Sequence, residues 1–166
     1  MPERKTPENI RNAFAAEAKA HFRLLAFAKR AAEEGYPQIA SLFRAIAMAE
    51  SAHARNHFAL LEKVGTTEDN LKLSFEKETY VNDVAYPEFL KDAWAEEDKN
   101  AIWFFTKARN SEERHARLYK QALTDMMTDR KADFYVCSYC GWVEEGGAPE
   151  ECPNCTNKAE FYEKVP

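Results

Sequence analysis

Apolar residues recur every three or four positions from Pro7 to about Asp129. In the first stretch Ile10, Phe14, Ala18, Phe22, Leu25 and Ala28 trace one stripe, the period of an amphipathic helix. Thr6-Pro7 sets a capping residue ahead of a proline at the first helical position. Glu34-Gly35-Tyr36-Pro37 stops that helix and opens a second, which is expected to run to about Val64. Gly65-Thr66 ends it. Thr67 is expected to cap a third helix, with Glu68 and Asp69 at the positive end of its dipole. Pro87 falls inside this third helix and predicts a kink. A weaker break at residues 97–100 precedes a fourth helix ending near Asp129. Four helices of roughly 28 residues, each about 42 Å long, predict a four-helix bundle.

After Arg130 the pattern changes. Phe134-Tyr135-Val136 and Phe161-Tyr162 are short β-type runs, and Gly141, Gly146, Gly147 and Pro149 are turn formers. The expected division is therefore a helical domain over residues 1–130 and a small domain over 131–166. Some thirty-five residues bury too little apolar surface to fold unaided, so a metal is expected to supply folding energy. The cysteines supply the ligands. All four of the chain's cysteines lie here, as Cys137-x-x-Cys140 and Cys152-x-x-Cys155 with eleven residues between the pairs. That spacing reads as one tetrathiolate site rather than a disulfide framework.

Composition narrows the class. The 166 residues carry a formal net charge of −5, and no uninterrupted apolar run exceeds five residues. Neither a transmembrane helix nor a signal-peptide apolar region is expected. Mild acidity without a basic patch argues against nucleic-acid binding. The expectation is a cytoplasmic protein with no membrane and no nucleic-acid partner.

The helical part carries its own constellation. Glu50-Ser51-Ala52-His53 and Glu112-Glu113-Arg114-His115 are two Glu-x-x-His motifs, each presenting a carboxylate and an imidazole on one helix face. Glu17 precedes Glu50 by thirty-three residues, and Glu78 precedes Glu112 by thirty-four. Glu, Glu-x-x-His, Glu, Glu-x-x-His is a twofold internal repeat. It is the donor set of a dinuclear carboxylate centre in a bundle. Glu17, Glu50 and Glu78 lie on apolar stripes, where an unpaired carboxylate is costly and a metal removes that cost. His21 and His57 follow proposed ligands by four residues and read as surface or outer residues. Trp94, Trp103, Phe104 and Phe105 read as core packing.

These residues resemble the rubrerythrin family. The resemblance spans essentially the whole chain. It rests on Ala13-Phe14-Ala15-Ala16-Glu17, Ala49-Glu50 through His53-Ala54, Glu78 with Tyr86-Pro87, Glu112 through His115, and the two cysteine pairs with Gly141-Trp142 and Ala148-Pro149. The cysteine segment also resembles rubredoxin. The resemblance implies a ferritin-like di-iron domain joined to a rubredoxin-like domain that holds one iron on four cysteines. Glu17, Glu50, His53, Glu78, Glu112 and His115 would hold two irons, and Cys137, Cys140, Cys152 and Cys155 one more, with zinc as the alternative occupant at either site. The implied activity is reduction of hydrogen peroxide to water in oxidative-stress protection. Electrons would come from an external donor, a rubredoxin or an NAD(P)H-dependent reductase. A homodimer or larger homo-oligomer is implied. An O2-using ferroxidase and a non-catalytic iron-binding redox protein are the alternatives. Tyr86 is either a hydrogen-bond donor near the di-iron site or a core tyrosine.

Two departures from the family pattern stand out. Rubrerythrins usually carry a further glutamate three residues after the one matching Glu78, and here that position is Val81. The remaining four glutamates and two histidines resemble the symmetric set of bacterioferritin-type ferroxidase sites. The link between the second and third helices is also very short. Val64 lies fourteen residues past Glu50, about 21 Å along the helix, and Thr67 lies eleven before Glu78, about 16 Å. If the two helices ran parallel in one ferritin-like bundle, the link would have to return about 37 Å, whereas Gly65 and Thr66 reach only about 10 Å. A plain antiparallel hairpin would alter how the two halves of the site face each other. The expectation is therefore a swap, in which each bundle takes helices one and two from one chain and three and four from another.

Overall fold

A computed structural model describes residues 5–61, 64–128 and 131–166 of the chain. The chain forms two compact units, Met1–Val64 and Gly65–Pro166. The first is a helical hairpin of α1 (Thr6–Glu33) and α2 (Pro37–Leu61). Thr6 is already helical, and Lys5 stands at the N-cap without a side-chain bond, so the expected threonine cap is not used. At the other end of α1 the turn is closed by two backbone bonds, Tyr36 N–H to Ala31 O at 2.8 Å and Gly35 N–H to Ala32 O at 3.1 Å. This is a Schellman stop, and Gly35 takes the left-handed conformation it requires (φ +83°).

Alanines form the seam between the two helices. Ala20, Ala28 and Ala31 of α1 and Ala40, Ala47 and Ala54 of α2 are buried, the last three at heptad spacing. Small side chains let the backbones approach closely. Phe14–Phe58 and Phe27–Phe43 pack across the seam, each pair 5.8 Å apart between ring centroids, and these pairs fix an antiparallel register. Phe22, expected on the buried stripe, is 71% exposed and lies off the seam.

The second unit begins with α3 (Thr67–Tyr80). Its cap is Thr66 rather than Thr67: the Thr66 hydroxyl accepts from Asp69 N–H, and the Asp69 carboxylate accepts from Thr66 N–H, a capping box. A π-helical turn, Val81–Ala85, separates α3 from α4 (Tyr86–Ala95). This is the form taken by the expected kink. Pro87 lacks an N–H for the helical ladder, and one extra residue is accommodated in the turn before it. The Asn82 carbonyl within that turn accepts from Arg109 Nε at 2.9 Å. The fourth break is sharp: Glu97 adopts φ +56°, and Asp98 caps α5 by accepting from Asn100 and Ala101 N–H, both at 3.0 Å. Helix α5 is Lys99–Asp125. Helix α2 is Pro37–Leu61 and α5 stops at Asp125, so Val64 and residues 126–128, expected to be helical, are not; residues 62–63 and 129 lie outside the described residues.

Of the four aromatics read as core, only Phe105 is packed as expected, against Tyr86 and Phe89. Trp94 (66%) and Phe104 (52%) are exposed, and Trp103 pairs edge-on with Phe104 and Tyr139 near the surface.

The C-terminal segment is a three-stranded antiparallel sheet in the order β2-β1-β3, with β1 Phe134–Cys137, β2 Val143–Glu145 and β3 Tyr162–Lys164. The fold class is the expected one: helices, then a small sheet carrying the cysteines. Among the described residues no helix is long and apolar enough to cross a membrane.

Candidate metal centres

Two matching knuckles hold the cysteines. In the first, Gly141 N–H bonds Cys137 O and Cys137 N–H bonds Trp142 O, both at 2.9 Å. In the second, Thr156 N–H bonds Cys152 O at 2.9 Å and Cys152 N–H bonds Asn157 O at 2.7 Å. Gly141 and Thr156 occupy equivalent positions, both at positive φ. The result brings Cys137 Sγ within 3.7 Å of Cys155 Sγ, and Cys140 Sγ within 3.6 Å of Cys152 Sγ. All four sulfurs lie within 4.8 Å of one another, and Cys137, Cys152 and Cys155 are buried. Four converging thiols suit a soft tetrahedral metal.

The helical residues converge as two triads, one in each unit. Glu17 of α1 meets Glu50 and His53 of α2, and Glu78 of α3 meets Glu112 and His115 of α5; in each triad the three ligand atoms lie within 4.8 Å of one another. Within each Glu-x-x-His the imidazole Nδ1 faces the glutamate Oε2, at 3.2 Å in the first and 3.1 Å in the second. The paired carboxylates disturb each other. Hydrogen bonding to Glu50 raises the proton affinity of Glu17 and lowers that of Glu50. Glu78 is pushed up to about 7, first by burial and then by the hydrogen bond and charge of Glu112. Glu112 is held below the usual carboxylate range, chiefly by its bond to His115. Two acids forced to share a proton mark a place where a cation is favoured.

The Glu78 shift makes a prediction for the metal-free protein. Its folded value lies above its ordinary 4.5. The stabilising contribution is therefore complete below about pH 4.5 and is lost as pH rises toward about 7. Thermal unfolding followed by circular dichroism should show metal-free protein losing stability across that window relative to a Glu78→Gln variant. Equal pH dependence of the two proteins would contradict the sharing.

His115 has a second partner that nothing in the sequence signals. Its Nε2 donates to the Gly141 carbonyl at 2.9 Å. That bond assigns the Nε2 proton and leaves Nδ1 toward the carboxylates. Burial alone would lower the His115 pKa, but the Glu112 and Gly141 bonds raise it overall. The same face of α5 carries the second knuckle: Asn154, buried, donates through Nδ2 to Lys107 O at 2.7 Å and to Ser111 Oγ at 3.1 Å. Ser111 Oγ in turn donates to Cys140 O at 2.8 Å.

Tyr86 packs against Phe89 and Phe105, and its pKa is raised by burial and then by the charges of Glu112 and Glu78. It is thus an aromatic core residue that also lies beside the second triad. His21, read as outer, ties the hairpin together by an Nδ1 contact of 2.8 Å with Ala47 O. His57 lies close enough to Glu17 to favour its ionised form.

Comparison with known proteins identifies the family. The rubrerythrin family model matches residues 8–123. Nigerythrin of Nitratidesulfovibrio vulgaris is 34% identical over 164 residues, covering 90% of this chain and 81% of that protein. Rubrerythrin-2 of Clostridium acetobutylicum is 30% identical, covering 95% of each. A structure of nigerythrin in its fully reduced, all-ferrous state aligns with a TM-score of 0.60 at 31% identity, over 99% of this chain and 89% of that one. A mixed-valence nigerythrin gives the same TM-score at 32% identity, over 99% and 88%. With candidate residues for a di-iron carboxylate site and for a rubredoxin-like four-cysteine site in one chain, this protein belongs to the rubrerythrin family, di-iron oxidoreductases associated with oxidative stress.

Proposed function

We propose that the protein reduces hydrogen peroxide to two waters, taking up two electrons and two protons, with the electrons delivered through the four-cysteine site from an external donor. A rubredoxin or an NAD(P)H-dependent reductase fits that role. The observation that carries this reading is the His115–Gly141 bond. One side of the His115 ring faces Glu112, and the other bonds the carbonyl of the residue following Cys140. A proposed ligand of one centre thus touches the chain holding the other. Plain iron storage has no need for such a joint.

The metal ligands in this reading are Glu17, Glu50, His53, Glu78, Glu112 and His115 for two irons, and the four cysteines for one. Irons bound there would supply two electrons and Lewis acidity, and an iron on the four cysteines would supply one-electron redox chemistry. The protein's part is to hold these groups. Glu17 and Glu78, each apposed to its Glu-x-x-His glutamate, fix four carboxylates in two matched pairs. The Gly141 carbonyl orients His115. In this reading Tyr86, beside Glu78 and Glu112, donates its hydroxyl proton in a hydrogen bond toward the site. On the same reading, which the short Gly65-Thr66 link motivates, a complete centre would join Glu17, Glu50 and His53 of one chain to Glu78, Glu112 and His115 of a second. The helical domain of residues 1–130 is then completed between two chains, each adding its own 131–166 domain.

The visible spectrum of the iron-loaded protein tests the electron path. The Fe(III)–thiolate band should bleach with reductant and return on adding hydrogen peroxide. Return with O2 but not with peroxide would favour the ferroxidase, the reading that Val81 supports by leaving a symmetric ligand set. Val81 makes its own prediction. Lacking the additional carboxylate, the site should keep His53 bound in both oxidised and reduced crystals, and Val81→Glu should raise peroxide turnover several-fold. Loss of the His53 contact on oxidation of the unaltered protein would count against this.

A further inference from the structure

Tyr162 opens β3 directly opposite Cys137, and its ring packs against the cluster of Cys137, Cys152 and Cys155 together with Cys140 and Trp142. Its hydroxyl oxygen is shielded from solvent and meets no hydrogen-bond partner among the described residues. A buried phenol O–H without an acceptor is costly, and native interiors rarely leave one. The groups it packs against are sulfurs. A neutral thiol is a poor acceptor, whereas a metal-bound thiolate carries charge and accepts well.

One of the sulfurs already has a donor: Cys155 Sγ accepts from Asn157 Nδ2 at 3.4 Å.

We propose that the Tyr162 hydroxyl donates a hydrogen bond to a cysteine sulfur of the loaded four-cysteine site, and that this bond sets the reduction potential of the site. The proposal rests on the reading that Cys137, Cys140, Cys152 and Cys155 hold iron. Four thiolates give the ferric site a net charge of −1 and the ferrous site −2. A donor aimed at one sulfur stabilises the more negative state, so it raises the potential. Tyr162 is thus a positioning and tuning residue: it touches a ligand and not the substrate.

The test uses full-length iron-loaded protein and a spectroelectrochemical titration of the Fe(III)–thiolate band. Tyr162→Phe keeps the ring and removes only the donor. It should shift the reduction equilibrium about tenfold toward the ferric form, a fall of about 59 mV for a one-electron couple. Replacing Tyr162 with 2,3-difluorotyrosine strengthens the donor without removing it and should shift the potential the other way. An unchanged or raised potential in Tyr162→Phe overturns the proposal. If that variant does not fold, the difluorotyrosine protein decides, and an unchanged potential there overturns it equally. Absence of the ferric band in the unaltered protein would defeat the iron reading instead. In that event the sulfur-to-metal charge-transfer energy of the cobalt(II)-loaded site, compared between the unaltered protein and Tyr162→Phe, decides the hydrogen bond: a shift supports it and identical bands overturn it.

Discussion

Glu50→Ala and Glu112→Ala should each abolish metal binding at the helical centre while leaving the four-cysteine site loaded. Each glutamate stands at the middle of its triad, facing a second carboxylate and the imidazole three residues on. Removing either carboxylate takes away a charged ligand, and it leaves its histidine without the partner it faces. The remaining donors bind the second metal no better, because two adjacent cations depend on the shared negative charge. The cysteine site is held by separate knuckles and folds around its own metal, so it should load normally. Elemental analysis should fall from about three metals per chain to about one, with the Fe(III)–thiolate band retained. The α1–α2 hairpin should survive Glu50→Ala, because its seam is built from Ala40, Ala47, Ala54 and their α1 partners rather than from Glu50. Retention of two helical metals by either variant would remove Glu50 and Glu112 from the ligand set.

That the candidate ligands cluster was legible because metal chemistry writes itself into residue type and spacing. Glu50 and His53, or Glu112 and His115, share a helix face by period alone, and two CxxC pairs cannot easily be anything but one site. The helix stop at Gly35 was legible for the same local reason. The π turn before Tyr86 was legible only as a kink, since Pro87 reports a missing N–H and not how the backbone absorbs it. Which aromatics are buried was less so: the apolar period of α5 includes Phe104 as readily as Phe105, and only the neighbouring elements separate them. The long-range polar contacts left no trace at all. Asn154 reaching Lys107 and Ser111 and His115 reaching Gly141 depend on where the small sheet seats on α5, and Tyr162 burying its hydroxyl among the cysteines depends on the register of β3 against β1. Sequence spacing carries no information on that.

The second large effect concerns the link. Gly65 and Thr66 are tied to the first turn of α3: Gly65 N–H donates to Asn70 Oδ1 at 2.9 Å, Asn70 Nδ2 donates to Gly65 O at 3.1 Å, and Thr66 closes the capping box with Asp69. A Cβ on Gly65 would meet the Asp69 side chain at 3.0 Å, so the approach is close. These bonds leave no slack at Gly65 and Thr66 for the return that a single-chain parallel bundle requires, about 33 Å counted from Leu61, the last residue of α2. The apolar stripe bearing Glu50 also needs a cover, since Ile39 and Ile46 are each 40% exposed. A swapped dimer meets both needs. Its complete centres exist only in the assembled state, so helical metal occupancy should fall on dilution below the dimer dissociation constant while cysteine-site occupancy does not. About fifteen flexible residues inserted between Gly65 and Thr66 would extend to more than the required span and should yield monomers that hold two helical metals at any concentration. Sedimentation equilibrium combined with metal analysis separates the cases. The swap fails if unaltered protein, diluted to monomer, keeps both helical metals, or if a crystal structure traces all six ligands of one centre to a single chain.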